Sequence, residues 1–551
     1  MKNREVAAIL ARTADMLQIK GDNPYKIRAY RKAAESVYHL DEDIAILYEK
    51  GRLKNIPGIG DAVEAKIEEI LKTGSCAYYD RLIREVPAGL LDMLAIPGLG
   101  HKSVKLIYDN LKTETLDELG EACKEGKIRN IPGLGVRTEE NIIKGIEEIK
   151  QRDKKINLGI ALPLARELLD YLQKSPLIET ASVTGSVRRG KAQVSDIDLL
   201  LASNTPKAVH EYIKAFPAVS RTDYIEPDLV KGQLGREIAF EAIIVPPPDF
   251  YRSLVWTTGS KEHRKRIFAG FDRRDFEGSD SEAEVYYRLG MDFIAPELRE
   301  NAGEIEAAID GSLPKLVNAA DIKGDLHVHS NWSDGSERIQ DLAAAARSRG
   351  YQYIAITDHS RSLPISGGLT EERLQAQGKV IDALNNETDD FHILKGSEVD
   401  ILKTGELDFP DPVLKDLDIV IASVHSHFKL EPRQQTERII EAAKNENVDI
   451  IGHLTGRLLS RRSGYEIAVE EIIEVCARCN TALEINSHPD RLDIDENIAR
   501  TAKEHGVKVA INSDTHHKKE LDFINYGVIT ARRGWLEAKD ILNALNRDEL
   551  R

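Results

Sequence analysis

The sequence predicts a multidomain chain: an all-α N-terminal region, an α/β middle and a C-terminal βα barrel. Three observations predict it. Ile56-Pro-Gly-Ile-Gly60, Ile96-Pro-Gly-Leu-Gly100 and Ile131-Pro-Gly-Leu-Gly135 are near-copies, each ahead of a helical pattern. Asp196 and Asp198 flank the start of the buried run Ile197 to Leu201, behind a basic Gly-Ser turn. His327, His329, Asp334, His359, Glu398, His425, His453, Asp514 and His516 are strung along a series of short apolar, β-branched runs with helix-like segments between them.

At 551 residues the chain has room for about three to five domains. With 41% hydrophobic residues, each can bury a core. No apolar run approaches a membrane span. Met1 to Leu10 is charged and then helical, without a secretory apolar stretch, so a cytoplasmic protein is expected. Four cysteines are too few for a disulfide framework. Cys476 and Cys479 lie in the helix-like run Glu470 to Asn480 and read as a buried helix face rather than a metal or redox pair. The net charge of −16 argues against nonspecific nucleic-acid binding by the chain as a whole. Up to Lys155, however, about 27 basic and about 26 acidic residues nearly cancel, so the N-terminal third is the better place for a polyanion.

The three N-terminal turns share one logic. Two glycines allow unusual dihedrals and a close backbone approach. The helices that follow (Asp61 to Leu71, His101 to Leu111, Thr138 to Lys150) then offer free N–H groups to an anion. This is a helix-hairpin-helix signature, which grips the DNA backbone without reading sequence. Gly58, Gly60, Gly98, Gly100, Gly133 and Gly135 are its candidate contacts. Lys66 lies in the helix after the first copy, and Lys26 and Tyr30 lie in Pro24 to Arg31. A partly desolvated Lys beside other cations can form a Schiff base with an aldehyde. By spacing alone, Lys66 is a solvated helix residue.

In the middle, Gly185-Ser-Val-Arg-Arg-Gly190 precedes Ser195-Asp-Ile-Asp-Leu-Leu-Leu201. Asp196 and Asp198 are two apart, so on a strand both carboxylates point to one face. Two acids beside a basic Gly-Ser turn can hold Mg²⁺ against a triphosphate, with Ser186 and Arg189 on the phosphate oxygens. That combination points to a nucleotidyltransferase. Residues 156 to 245 should form a mixed sheet with helices on one face, and 246 to 320 a small α/β subdomain.

In the C-terminal part the apolar runs are Ile322 to Val328, Tyr353 to Thr357, Phe391 to Leu394, Leu417 to Ala422, Val448 to Ile451 and Val507 to Ile511. A lone His at a strand end is ordinarily a hydrogen-bonded residue. Repetition at successive strand ends is how a barrel builds a site. Imidazoles mixed with carboxylates suit Zn, Mn or Fe, and point to metal-dependent hydrolysis. His427 is placed behind the ligands. Arg457 and Lys518 read either as DNA-phosphate contacts or as solvated loop cations.

With these residues in view, the chain resembles family X DNA polymerases of the DNA polymerase beta type, in the bacterial and archaeal form with a C-terminal PHP (polymerase and histidinol phosphatase) domain. The resemblance covers essentially the whole chain and includes Trp256-Thr-Thr-Gly-Ser-Lys-Glu-His263 and Ala295-Pro-Glu-Leu-Arg-Glu300. It implies a lyase-like helical DNA-binding domain at 1–85 and a helix-hairpin-helix domain at 86–155. A nucleotidyltransferase palm follows at 156–245, a C-terminal polymerase subdomain at 246–320, and a PHP phosphoesterase, a distorted (βα)7 barrel, at 321–551. It implies that Asp196, Asp198 and Glu241 are catalytic, with Mg²⁺ or Mn²⁺ on the two aspartates. Gly185, Ser186, Arg189 and Gly259 would bind the deoxynucleoside triphosphate, and Lys66 would be a 5′-deoxyribose-phosphate lyase nucleophile beside Lys26 and Tyr30. The nine histidines and acids of the barrel would hold up to three Mn²⁺ or Zn²⁺ ions for 3′–5′ exonuclease action. The implied partner is gapped or nicked duplex DNA with its 3′ ends, handled by a monomer without membrane contact, in base excision repair. The chain departs from the family at Glu241 (usually Asp), Ile243 (often Arg), Thr257 (usually Phe) and Arg264 (often Asn). Two expectations follow: a gap-filling polymerase weakened in its palm, or a DNA-end nuclease or phosphatase whose degenerate palm only binds.

Overall fold

The computed structural model describes residues 2–38, 40, 43–87, 89–94, 96, 98–152, 155–225, 227–235, 238–363, 366–388 and 390–550; Pro97 of the second turn motif lies outside them. The chain divides into two compact units, Met1–Lys154 with Ser460–Arg462, and Lys155–Leu459 with Ser463–Arg551.

Among the described residues of the first unit, the regular elements are all helices. In its first helix, Lys2–Lys20, the buried Val6, Leu10, Ala14 and Leu17 recur at helical spacing and form one face of the core. The three repeated turns each bury their first isoleucine, Ile56, Ile96 and Ile131. Each also puts its first glycine in the left-handed region, at φ +82 for Gly58, +84 for Gly98 and +88 for Gly133. The helices that follow are Asp61–Thr73, His101–Leu111 and Val136–Arg152.

The second unit begins with a five-stranded mixed sheet: β1 (Thr180–Val183), β2 (Ile197–Ala202), β3 (Val219–Ile225), β4 (Leu229–Leu234) and β5 (Ile238–Val245), in the order β1-β2-β5-β4-β3. Only β2 and β5 pair in parallel, and their register sets Asp198 opposite Glu241. The helices of residues 156–245 cover one face, as expected, and the other face is covered by a helix from the next stretch. Ile197, Leu199 and Leu201 pack with the helix Leu158–Leu172, whereas Leu200 and Ala202 pack with Phe250 and Leu254 of the helix Phe250–Thr258. The cause lies in the strand: β2 is apolar at both parities, so both of its faces need cover. The stretch 246–320 is built from helices, with no strand among its described residues, in place of an α/β subdomain. Its Val255, Ile267, Val285 and Ile305 form a small core of their own.

Seven parallel strands follow: β6 (Gly324–Val328), β7 (Tyr353–Ile356), β8 (His392–Asp400), β9 (Ile419–Ser423), β10 (Ile450–Ile451), β11 (Ala482–Asn486) and β12 (Val509–Asn512). They pair in sequence order, and a bridge from Val328 to Thr515 nearly closes the sheet into a barrel. All seven lie within apolar surroundings on both sides, as helix-covered parallel strands require. No helix among the described residues is long and apolar enough to cross a membrane.

Candidate active sites

The barrel site is assembled around one carboxylate. Glu398, on β8 and buried, faces five imidazoles. Its Oε2 lies 2.9 Å from His359 Nδ1, 3.5 Å from His327 Nε2 and 3.6 Å from His329 Nε2. Its Oε1 lies 2.9 Å from His453 Nε2 and 3.2 Å from His425 Nε2. Asp514 Oδ1 approaches His329 Nε2 at 3.1 Å, and Asp334 stands 3.4 Å from both His359 and His516. Three metal-sized groups result: His329, Asp334, His359 and His516; His327, His329 and Asp514; and His359, Glu398 and His425. All nine ligand candidates are therefore brought together. His453 and Asp514 reach the site from positive φ, +23 and +54, a strain that proteins concentrate where function requires it.

The residues fit a group of divalent ions. His327 Nε2, both ring nitrogens of His329, His359 Nδ1 and Glu398 Oε2 are buried and make no hydrogen bond, although buried polar atoms ordinarily find a partner. Burial, then His516 and His359, press the His329 imidazole down to about 3, so it is neutral and its lone pair is available. Burial opposes charge on Glu398, but the imidazoles, His425 first, hold its carboxyl well below the usual range.

Sequence reasoning missed the groups behind the ligands. Glu484 on β11 accepts from His327 Nδ1 at 2.7 Å, from Asn512 at 3.0 Å and from the His453 backbone N–H at 2.8 Å. Asp400 bonds His425 Nδ1 at 2.7 Å, and Asn486 donates to Asp514 at 2.9 Å. Such partners fix the ring orientation of metal-binding histidines. The one signal for Asp400 was its spacing of two from Glu398 on the same strand. His427 is exposed and joins none of the three groups. Arg457 is committed to the Arg491 carbonyl at 3.0 Å and to Asp495, and Lys518 lies 3.7 Å from Glu337. Of the CxxC pair, Cys476 is buried and Cys479 exposed, both as free thiols.

The second site opens beside β2. A cavity of about 350 Å³ is lined by Gly185, Ser186, Arg189, Asp198, Glu241 and Gly259 among others, so the expected nucleotide contacts converge there. Gly185 has φ +60, and a Cβ on it would fall 1.8 Å from Asp198 Oδ2; only glycine lets the turn lie against that acid. Burial, then Asp196 and Glu241, raise the Asp198 carboxyl to about 7, and burial followed by Glu241 raises Asp196. Three crowded acids of this kind call for a cation. Glu241 is tied to Lys231 across β4 and β5. Arg189 donates to Glu300 at 2.9 Å and to the Thr258 carbonyl at 2.7 Å, while Arg188 grips Glu282 and Thr258. Arg264 lies over the Trp256 ring, 5.1 Å from its centroid.

In the first unit, Lys26 and Lys66 both stand 5.0 Å from the centre of the Tyr78 ring, and Tyr30 stacks on Tyr78 at 6.1 Å. Tyr78, which the sequence did not single out, is thus the hub of that cluster. Lys66 donates to its own helix at Ala62 O, 2.7 Å away.

Comparison with known proteins follows the same division. Residues 1–76 match a model described as a helix-hairpin-helix domain, 90–148 a SAM-like helix-hairpin-helix tandem, and 325–488 the PHP domain. The DNA polymerase/3′-5′ exonuclease PolX of Bacillus subtilis (strain 168) is 38% identical over 99% of this chain and 98% of its own length. A probable phosphatase of Thermoanaerobacter sp. (strain X514) is 36% identical over 35% of this chain and 78% of its own, and one of Shewanella loihica is 29% identical over 35% and 77%.

Proposed function

Because the chain belongs to the PolX family of DNA polymerase/3′–5′ exonucleases, we propose that its palm fills, and its barrel trims, gaps in duplex DNA during base excision repair. The chain is a DNA-directed DNA polymerase and a metal-dependent 3′–5′ exonuclease, the latter activity in its PHP domain. Its repeated turns take the DNA backbone, and its nucleotide substrates are deoxynucleoside triphosphates. On this reading it works as a cytoplasmic monomer.

The observation that carries the barrel assignment is Glu398 facing five imidazoles, four of which keep an unpaired buried nitrogen. His327, His329, Asp334, His359, Glu398, His425, His453, Asp514 and His516 would hold up to three Mn²⁺ or Zn²⁺ ions. When bound, such ions neutralise phosphodiester oxygens and acidify water to near neutrality. Glu484 keeps His327 Nε2 turned inward, and Asn486 and Asp400 do the same for Asp514 and His425. In the palm, Asp196 and Asp198 would hold Mg²⁺ or Mn²⁺, Glu241 would draw on the primer 3′ hydroxyl, and Ser186 and Arg189 would take phosphate oxygens. Lys66 is assigned as the lyase amine. The tie of Glu241 to Lys231 favours a palm that is weakened.

The test is the double variant His327→Ala with His329→Ala in the full chain. Expected are loss of 3′ trimming and of most bound metal, with gapped-DNA binding retained. Trimming that survives in this variant would place the nuclease elsewhere.

A further inference from the structure

The helix Ile524–Arg533 belongs to the barrel yet ends on the palm. On one side it lies against the strands that carry the metal cluster: a Cβ on Gly527 would meet Ser487 Oγ at 2.0 Å and Ile511 Cγ2 at 2.6 Å. On the other side, Tyr526 and Ile529 pack into the palm core. Gly190 closes the Gly185–Gly190 turn at φ +68, and a Cβ there would stand 2.1 Å from Ile529 Cγ2. The nucleotide turn and the barrel helix are therefore in direct contact.

Arg533 ends the helix with its side chain 6% exposed. Its Nη1 donates to the Arg189 carbonyl at 2.7 Å and to Glu300 Oε1 at 3.1 Å. Its Nη2 and Nε donate to Glu496 Oε1 at 2.7 and 3.2 Å. The same Glu300 Oε1 accepts from Arg189 Nε. A planar guanidinium fork spreads its donors over three nitrogens and so reaches all three acceptors, whereas an ammonium carries its three donors on a single nitrogen.

We propose that Arg533 is a positioning residue for the deoxynucleoside triphosphate, fixing from the barrel side both the carbonyl and the ion-pair partner of Arg189. The inference rests on reading Arg189 as a phosphate contact. Removing Arg533 leaves the Arg189 carbonyl unpaired and Glu300 to Arg189 and Lys191 alone. The turn loosens, and Glu300 holds the Arg189 guanidinium more tightly away from phosphate. Both effects weaken nucleotide binding. Arg533 touches no metal-ligand candidate, so trimming is spared.

The experiment measures KM and kcat for a nucleotide on a one-nucleotide gap, and 3′ trimming of the same DNA, in the full-length protein. Arg533→Ala should raise nucleotide KM about tenfold, with kcat changed less than about threefold and trimming within about twofold. Arg533→Lys, which keeps the charge and folds more readily, should fall between Ala and wild type. Arg532→Lys alters the same interface at Glu297 and the Val317 carbonyl without touching the turn, and should leave KM within about twofold. Arg189→Ala separates the two ideas. If it shifts nucleotide KM and neither Arg533 variant does, the positioning role is overturned alone. If it shifts nothing, the phosphate role of Arg189 falls and the positioning role with it. Equal loss of filling and trimming in Arg533→Lys would mark a merely structural contact and also overturn the proposal.

Discussion

Glu241 is one methylene longer than the aspartate its family place usually holds. It stands in register with Asp198, yet its carboxylate is engaged by Lys231. An aspartate there would give up Lys231 and draw back toward Asp198. Because a displacement of about 1 Å costs on the order of 100-fold, Glu241→Asp is expected to speed incorporation into a one-nucleotide gap by about tenfold or more. Single-turnover filling measures it; unchanged filling beside an already fast wild type would remove the case for a weakened palm. Lys66 makes a separate prediction. Its ammonium and that of Lys26 each lie 5.0 Å from the centre of the Tyr78 ring. Borohydride reduction on abasic DNA should trap a covalent adduct in the wild type and in Lys26→Ala, but not in Lys66→Ala. A full adduct in Lys66→Ala would put the reactive amine on another residue.

One strand shows where the sequence was legible and where it was not. Six of the seven barrel strands overlap the short, largely apolar runs picked out in the sequence, and those runs led to the ligands at or just beyond them. The seventh, β11, reads Ala-Leu-Glu-Ile-Asn, and its buried Glu484 and Asn486 break the apolar run that would have marked it. They are tolerated inside because each is fully engaged, Glu484 by His327, Asn512 and the His453 N–H, and Asn486 by Asp514. Ligand identity was thus open to motif reading, whereas the carboxylate that aims His327 was visible only once the strands were side by side. The helical build of 246–320 was hidden for a different reason: its runs are short, and short apolar runs fit either period. Since partners behind metal ligands ordinarily matter by 10- to 100-fold, Glu484→Gln should lower metal affinity by about that factor with little change in far-UV dichroism. Metal analysis after dialysis against graded chelator reads this directly, and wild-type retention of metal would deny Glu484 its orienting role.

The whole chain carries a charge of −16, all of it arising beyond residue 155, so on the proposed function DNA is held by a unit that is itself nearly neutral. That unit offers three glycine turns with the same left-handed φ, each leading into a helix whose N-terminus carries the positive end of the helix dipole and so suits a phosphate. If each turn holds about one phosphate, the slope of log affinity for gapped DNA against log salt should be about −3. A slope of −6 or steeper would mean that lysines and arginines spread over the molecule hold the DNA instead. The same division predicts a clean response to chelation, because the metal-ligand candidates of both sites lie in the second unit. Excess EDTA should abolish trimming and filling together while gap affinity changes by less than about twofold, since backbone N–H groups need no ion to bind an anion. Fluorescence anisotropy on gapped DNA, run beside the two activity assays in one titration, measures all three. Binding that falls in step with the activities would mean that the grip on DNA passes through the metal sites and not through the turns.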